Sequence, residues 1–345
     1  MAILKIRFSR VCVFLVLCLL VIHVVRLVIL KPQRIPRDQS DDADFLLLSG
    51  HHAAGRDAVK SPFESEEPEC STGPRIHRLQ EWCRPRKKPV KLTMVTWRNL
   101  YVDHEHELLF CEVPKAGAST LKKLLIQAAP LFLPNSSVPR NIHRSLEKFN
   151  ITHPKQSIDA LQPILRKYFK FVVVRHPITR LLSAYKDKFY DTTFLPKISR
   201  HIVKNYRQKH KNAERDSSLH PQRPTWVEFA DFVGTEYSNV SERHWKTVME
   251  LCSPCLIGYD AILKLETLER DVPVVIKHIS QHKMVISHEN ESRGVEGKDS
   301  QSYLRELSQS VIEKLQNVYR HDLDLFGYRF NESAIPDCYD DRCIC

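Results

Sequence analysis

Two short apolar runs constrain this chain more than any other feature, because each breaks at a basic, proline-bearing turn and continues as a helical pattern. The first, residues 108–113, ends at Pro114; the second, residues 169–174, closes on three valines and is strongly β-prone. After the first, Leu121, Leu124, Leu125 and Ala128 share one helical face, and after the second come Ile178, Leu181, Leu182, Tyr185 and Phe189. Pro177 stands where a first-turn proline is favoured. Towards the end, Leu304, Leu307, Val311, Leu315 and Val318 make another amphipathic helix. This alternation predicts an α/β domain with a central parallel sheet. No internal repeat is present.

Open parallel sheets bind ligands beyond the carboxyl ends of their strands, so the two turns are the candidate site. The first reads Pro114, Lys115, Ala116, Gly117, Ala118, Ser119, Thr120. Its small residues let the backbone approach a ligand, and the free N–H groups of the following helix suit an anion. Lys115 adds a charge, Ser119 and Thr120 add hydroxyls. It is not a Walker A loop, in which lysine comes late and directly before Ser/Thr. The second turn runs Arg175, His176, Pro177, Ile178, Thr179, Arg180, Leu181, Leu182, Ser183. Arg175 leaves the strand end able to fork onto a phosphate, and Ser183 follows about two helical turns later. Two anion sites imply a ligand with two separated phosphates, such as a 3′-phosphorylated adenine nucleotide.

The remaining signals concern location. Lys5, Arg7 and Arg10 precede an apolar run at residues 11–30, long enough to cross a bilayer although His23 and Arg26 interrupt it. Residues 11–22 alone also suit a signal-peptide core, but no small-residue cleavage site follows. Lys31, Arg34 and Arg37 on the far side leave the charge rule nearly balanced. Orientation therefore rests on five glycosylation sequons, at Asn135, Asn150, Asn239, Asn290 and Asn331, and on eight cysteines outside the apolar run. Both suit the secretory lumen. The organisation expected is a cytosolic tail at 1–10, a signal-anchor transmembrane helix at 11–30, a flexible luminal stem at 31–91 and a luminal domain at 92–345. The formal charge of +11 attracts acidic partners but does not choose between nucleic acid, anionic glycan, nucleotide and membrane.

With these residues in view, the two turns resemble the 5′-phosphosulfate and 3′-phosphate loops of sulfotransferases. The wording is similar to the Golgi carbohydrate sulfotransferases of the HNK-1 and chondroitin/dermatan 4-O group. A third block matches too: His244-Trp245, Leu251-Cys252-Ser253-Pro254-Cys255, Tyr259-Asp260, residues 264–268 and Asp271, with Leu325-Phe326-Gly327-Tyr328 at the end. The resemblance covers residues 108–328. Where the family often has Cys-Thr-Asn-Trp or Cys-Ser-Asn-Trp, this chain has Ala118-Ser119-Thr120-Leu121; the hydroxyl stays and the Asn-Trp pair is replaced.

The resemblance implies a P-loop-like sulfotransferase fold in the Golgi membrane, single-pass type II. Its sulfuryl donor is 3′-phosphoadenosine 5′-phosphosulfate and it needs no metal. Its acceptor is a hydroxyl of N-acetylgalactosamine or another sugar of a glycosaminoglycan or glycoprotein glycan, and nucleic acid is not a partner. Residues 114–120 and 175–183 would hold the donor, with Lys115 the cation at the leaving oxygen and Arg175 and Ser183 at the 3′-phosphate. The catalytic base lies between the loops in chain order in such enzymes, which points to His143; His244 is the alternative, and His153 reads as surface. Two other readings stay open, a noncatalytic glycan- or nucleotide-binding relative and a nucleotide kinase. Cys252 and Cys255 lack a second pair at zinc spacing and read as disulfide partners. Asp322-Leu323-Asp324 reads as a solvated helix face rather than a metal-binding acidic motif.

Overall fold

The computed structural model describes residues 69–86, 92–132, 136–139, 141–190, 195–211, 221–239, 242–279 and 300–329. The expected signal anchor at 11–30, most of the expected stem, Asn135, Asn290, Asn331, and Cys12, Cys18, Cys338, Cys343 and Cys345 lie outside them. Among the described residues no helix is long and apolar enough to cross a membrane.

One sheet carries the fold. Its strands are β1 (Leu100–Asp103), β2 (Leu108–Cys111), β3 (Ile151–Thr152), β4 (Phe169–Val174) and β5 (Ala261–Lys264). Their spatial order is β3-β1-β2-β4-β5. The expected central parallel sheet is present as β2, β4 and β5. The sheet as a whole is mixed, because β1 runs antiparallel to β2 and to β3. Connection length is the cause: residues 104–107 link β1 to β2, which is enough for a hairpin and too short for a parallel crossover.

Seven longer helices surround the sheet among the described residues: α1 (Glu69–Cys83), α2 (Ala118–Ala128), α3 (Ile158–Lys167), α4 (Pro177–Tyr185), α5 (Pro196–Tyr206), α6 (Trp226–Glu236) and α7 (Gln309–Phe326). Period-two alternation divides the strands between two cores. Leu100, Val102, Leu109, Cys111, Val172, Val174 and Ile262 meet Leu181, Phe229 and Tyr319 of α4, α6 and α7. Tyr101, Leu108, Phe110, Phe171, Val173, Ala261 and Leu263 meet Leu121, Leu124 and Leu125 of α2. The predicted terminal helix is two, Ser300–Arg305 and then α7; the chain is extended at Ser308, the N-cap of α7.

The stem boundary at residue 91 needs correction, since α1 lies inside it and belongs to the domain. Leu79 is buried in the core, and the Arg75 guanidinium donates to the Ile262 carbonyl at 2.8 Å and pairs with the buried carboxylate of Asp271. A disulfide between Cys83 and Cys255 closes the attachment. The second described disulfide joins Cys111, at the end of β2, to Cys252. Cys252 and Cys255 are thus bonded to two distant partners and not to one another. Asp322 also departs from expectation: it is buried, and its carboxylate accepts the N–H groups of Val248 at 2.7 Å and Met249 at 3.2 Å. Only Asp324 of that pair is exposed.

Candidate functional site

The carboxyl ends of β2 and β4 carry two segments of the site, and a third is attached to them through Arg180 and Arg243. The first is the loop at residues 112–117, where Lys115 (φ 69°) and Gly117 (φ 77°) take left-handed backbone. The left-handed backbone at Gly117 is what favours glycine; a Cβ there would fall 2.9 Å from Cδ1 of Leu265, a side-chain end that would have to shift. Gly117 is the N-cap of α2; it offers no side-chain cap, and no acid stands in the first turn. The N–H groups that open α2 are therefore left to an anion. Pro114 and Ala116 are buried, whereas Ala118, Ser119 and Thr120 are half-buried along that opening turn.

The second loop braces the first. Arg175 NH1 donates to the Lys115 carbonyl at 3.1 Å, and its Nε donates to the Thr179 hydroxyl at 3.1 Å. Burial pulls the Arg175 pKa below its ordinary value, partly offset by Glu266. His176 is spent inside the protein. Its Nδ1 accepts the Ile178 N–H at 3.3 Å, capping α4, and its Nε2 donates to the Arg329 carbonyl at 3.1 Å. Its backbone N–H donates to Glu266 at 2.7 Å, and the other oxygen of Glu266 accepts from the Tyr328 hydroxyl at 3.0 Å. Pro177 begins α4, while Ile178, Leu181 and Leu182 send their side chains into the core. Arg180 is 1% exposed and donates to the carbonyls of His244 and Lys246. Arg175 is half-buried, and Ser183 is buried on α4.

The third segment is residues 242–246, tied to the first two by a chain of charges. Past Tyr185, α4 widens into a π-helical turn, Lys186–Tyr190. Phe189 then packs on Phe229 with centroids 5.0 Å apart, while Asp187 reaches Lys115 Nζ at 3.2 Å and Lys188 at 3.0 Å. Burial would raise the Asp187 pKa, but the two lysines hold it below the usual range. Lys188 also acts on Glu242, which pairs with His244 Nδ1. His244 is close enough to affect the titration of His143. His143 closes the circuit at a buried cluster: Lys122 Nζ is 2.9 Å from His143 Nδ1 and 2.8 Å from Glu112 Oε1, and Arg243 is 2.7 Å from Glu112 Oε2. Burial alone would raise Glu112, yet Lys122 and Arg243 together hold it at about 2.

Of the candidate catalytic residues, Lys115 is tied to Asp187, His143 to the Lys122–Glu112 pair, and the segment of His244 to that same pair through Arg243. Sequence reasoning missed Glu112, Lys122, Asp187, Lys188, Glu242 and Arg243. One signal was present: Lys122 follows Leu121 on the buried side of an amphipathic helix, and a lysine there needs a carboxylate. Glu112 stands directly after the apolar run that precedes that helix. Asn150 is exposed in a left-handed turn before β3, a conformation open to a glycan. Asn239 ends the short helix Tyr237–Asn239. Among the described residues no group of side chains is arranged to hold a metal ion.

Comparison with known proteins gives concordant results. The sulfotransferase family model matches residues 98–329. Carbohydrate sulfotransferase 10 of Xenopus laevis is 30% identical over 246 residues, covering 67% of each chain. The human protein of that name is 30% identical over 250 residues, again covering 67% of each. Carbohydrate sulfotransferase 11 of Rattus norvegicus is 30% identical over 261 residues, covering 70% of each. No solved structure matches the chain.

Proposed function

Because the chain belongs to the sulfotransferase family, we propose that it transfers a sulfuryl group from 3′-phosphoadenosine 5′-phosphosulfate to a sugar hydroxyl. The carrying observation is the pair of anion-ready turns at neighbouring strand ends, locked together by Arg175 on the Lys115 carbonyl. The uncapped start of α2, with Lys115 beside it, fits the 5′-phosphosulfate, and Arg175 with Ser183 fits the 3′-phosphate. When bound, the donor supplies a sulfuryl group on a phosphate leaving group. Lys115 offsets the charge that grows on the departing oxygen, and the first-turn N–H groups of α2 share that work. In the free enzyme Asp187 holds the Lys115 ammonium in place. The acceptor is a glycan hydroxyl, and the basic balance of the chain suits an anionic one. The five sequons and the two disulfides among the described residues support a Golgi-luminal domain behind a type II anchor.

The test joins binding to transfer. The full chain, given labelled donor and a panel of chondroitin, dermatan, N-acetylgalactosaminides and glucuronic-acid-capped glycans, is expected to label at least one. Arg175→Ala should weaken 3′,5′-ADP by roughly 10- to 100-fold, the loss of a charge-assisted contact, and Ser183→Ala by less. Lys115→Ala should lower both affinity and rate. Binding of 3′,5′-ADP with no transfer to any glycan would favour the noncatalytic relative, and unchanged affinity in a folded Arg175 variant would remove the second loop from the site.

A further inference from the structure

Two histidines stand at the site, and their hydrogen bonds give them opposite tautomers. His143 Nδ1 lies 2.9 Å from the Lys122 ammonium, a group with donors only. Burial lowers the Lys122 pKa, and Glu112 at 2.8 Å from the same Nζ opposes that and favours the ammonium. Nδ1 of His143 therefore accepts, and the ring proton sits on Nε2. The Glu112 oxygen is 3.5 Å from Nδ1, too far to compete. With a side chain 56% exposed, His143 presents an N–H outward and has no lone pair there to take a proton.

His244 is arranged the other way. The Glu242 carboxylate faces its Nδ1 and also accepts its backbone N–H at 3.2 Å. A carboxylate accepts only, so Nδ1 carries the proton and Nε2 keeps its lone pair. The ring is 20% exposed, and the buried Arg180 guanidinium fixes its carbonyl. Orientation, tautomer and a negative charge behind the ring are what a general base requires.

We propose that His244 is the general base of the transfer and that Glu242 is its positioning residue, with His143 serving as a hydrogen-bond donor. The proposal rests on the sulfotransferase reading. In the step, the acceptor hydroxyl oxygen forms a bond to sulfur as the bond from sulfur to the donor phosphate oxygen breaks. That electron pair stays on the phosphate beside Lys115. The hydroxyl proton passes to Nε2 of His244, and Glu242 remains ionised behind the imidazolium. Glu242 faces the His244 ring, and Arg180 of α4 holds its carbonyl. Arg243, its neighbour in the chain, pairs with Glu112, which also holds Lys122. Burial first, and then Lys122, hold the His143 pKa below its ordinary value, which keeps that ring neutral.

The experiment uses the full chain with two readouts. Nitrogen NMR of labelled histidines, assigned by the His143→Gln and His244→Gln variants, should find His244 protonated at Nδ1 and His143 at Nε2. Single-turnover transfer is then measured with whichever panel glycan the wild type labels. His244→Gln should lose roughly 10²–10⁴ in rate while 3′,5′-ADP binding stays within about twofold. Glu242→Gln should slow transfer, leave 3′,5′-ADP binding within about twofold and let the His244 ring proton spread to Nε2 in the nitrogen spectrum, since no carboxylate then holds it at Nδ1. His143→Gln should cost about tenfold or less. Transfer by a folded His244→Gln at the wild-type rate overturns the proposal, as does an Nε2-protonated His244 in the wild type or a Glu242→Gln variant with the wild-type rate and an unchanged His244 spectrum. Absence of any transfer by the wild type overturns the transferase reading instead, and this proposal with it.

Discussion

Glu112 shows how a charge can sit in the core of this protein. Its side chain is 4% exposed, with Lys122 on one oxygen and Arg243 on the other. A carboxyl held at about 2 instead of 4.5 contributes stability that is fully present above about 4.5 and lost as pH falls towards 2. The amount is roughly 3 kcal/mol. Asp322 acts with the opposite sign. Burial pushes it up to about 6, so ionising it costs stability as pH rises from 3.8 through 6. Acid unfolding of the wild type therefore mixes the two, and a difference measurement separates them. Glu112→Gln should be about 3–5 kcal/mol less stable than wild type at pH 7, because Lys122 stays buried without its carboxylate. That gap should narrow below about pH 4. Urea unfolding at both pH values checks it, and a gap that stays constant across the series would show that the Glu112 charge is not what stabilises the cluster.

Among the elements, α1 was the hardest to foresee. Its apolar residues are sparse (Ile76, Leu79, Trp82), and Gly73 and Pro74 interrupt the helical pattern. What holds it is an ion pair and a disulfide with residues far along the chain, and no local periodicity reports such bonds. A chain beginning at residue 92 would lose Arg75 and Cys83, leaving Asp271 buried without its cation and Cys255 without its partner. It should be largely insoluble, or unfold about 3–5 kcal/mol more easily than a chain beginning at residue 63. Soluble yield and thermal melting of the two compare directly; equal melting would place α1 outside the folded unit. By contrast, β4 occupies the residues its valine run predicts, and α2 and α4 carry their apolar faces where the spacing puts them. The short strands β1, β3 and β5 give too few alternations to be read alone. The two loops were legible because anion chemistry concentrates recognisable residues in one stretch. The Glu112 and Glu242 partnerships were not, since each joins residues through the sheet or against a ring nitrogen.

At the scale of the whole molecule, the sequons and the disulfides require that residues after 31 lie in an oxidising lumen if both are to form. Expressed in secreting cells, the protein should run faster on a gel after endoglycosidase treatment. Protease added to sealed vesicles should leave the body intact. No mobility shift, together with digestion of the body, would reverse the orientation. The two described bridges have a further consequence, for the order of events on the ribosome. Cys83 and Cys111 emerge 172 and 141 residues before Cys255 and Cys252. At ordinary elongation rates that is a wait of roughly 10–30 s. During it, Cys111 has only partners it must not keep, Cys83 among them. The late block that ends the wait comes just after His244, so the wall bearing the proposed base and the thiols that bind it to the donor loop arrive in one stretch of translation. A nascent chain stalled before that stretch holds the donor loop without its acceptor side, and it is a client for thiol exchange before it can be a catalyst.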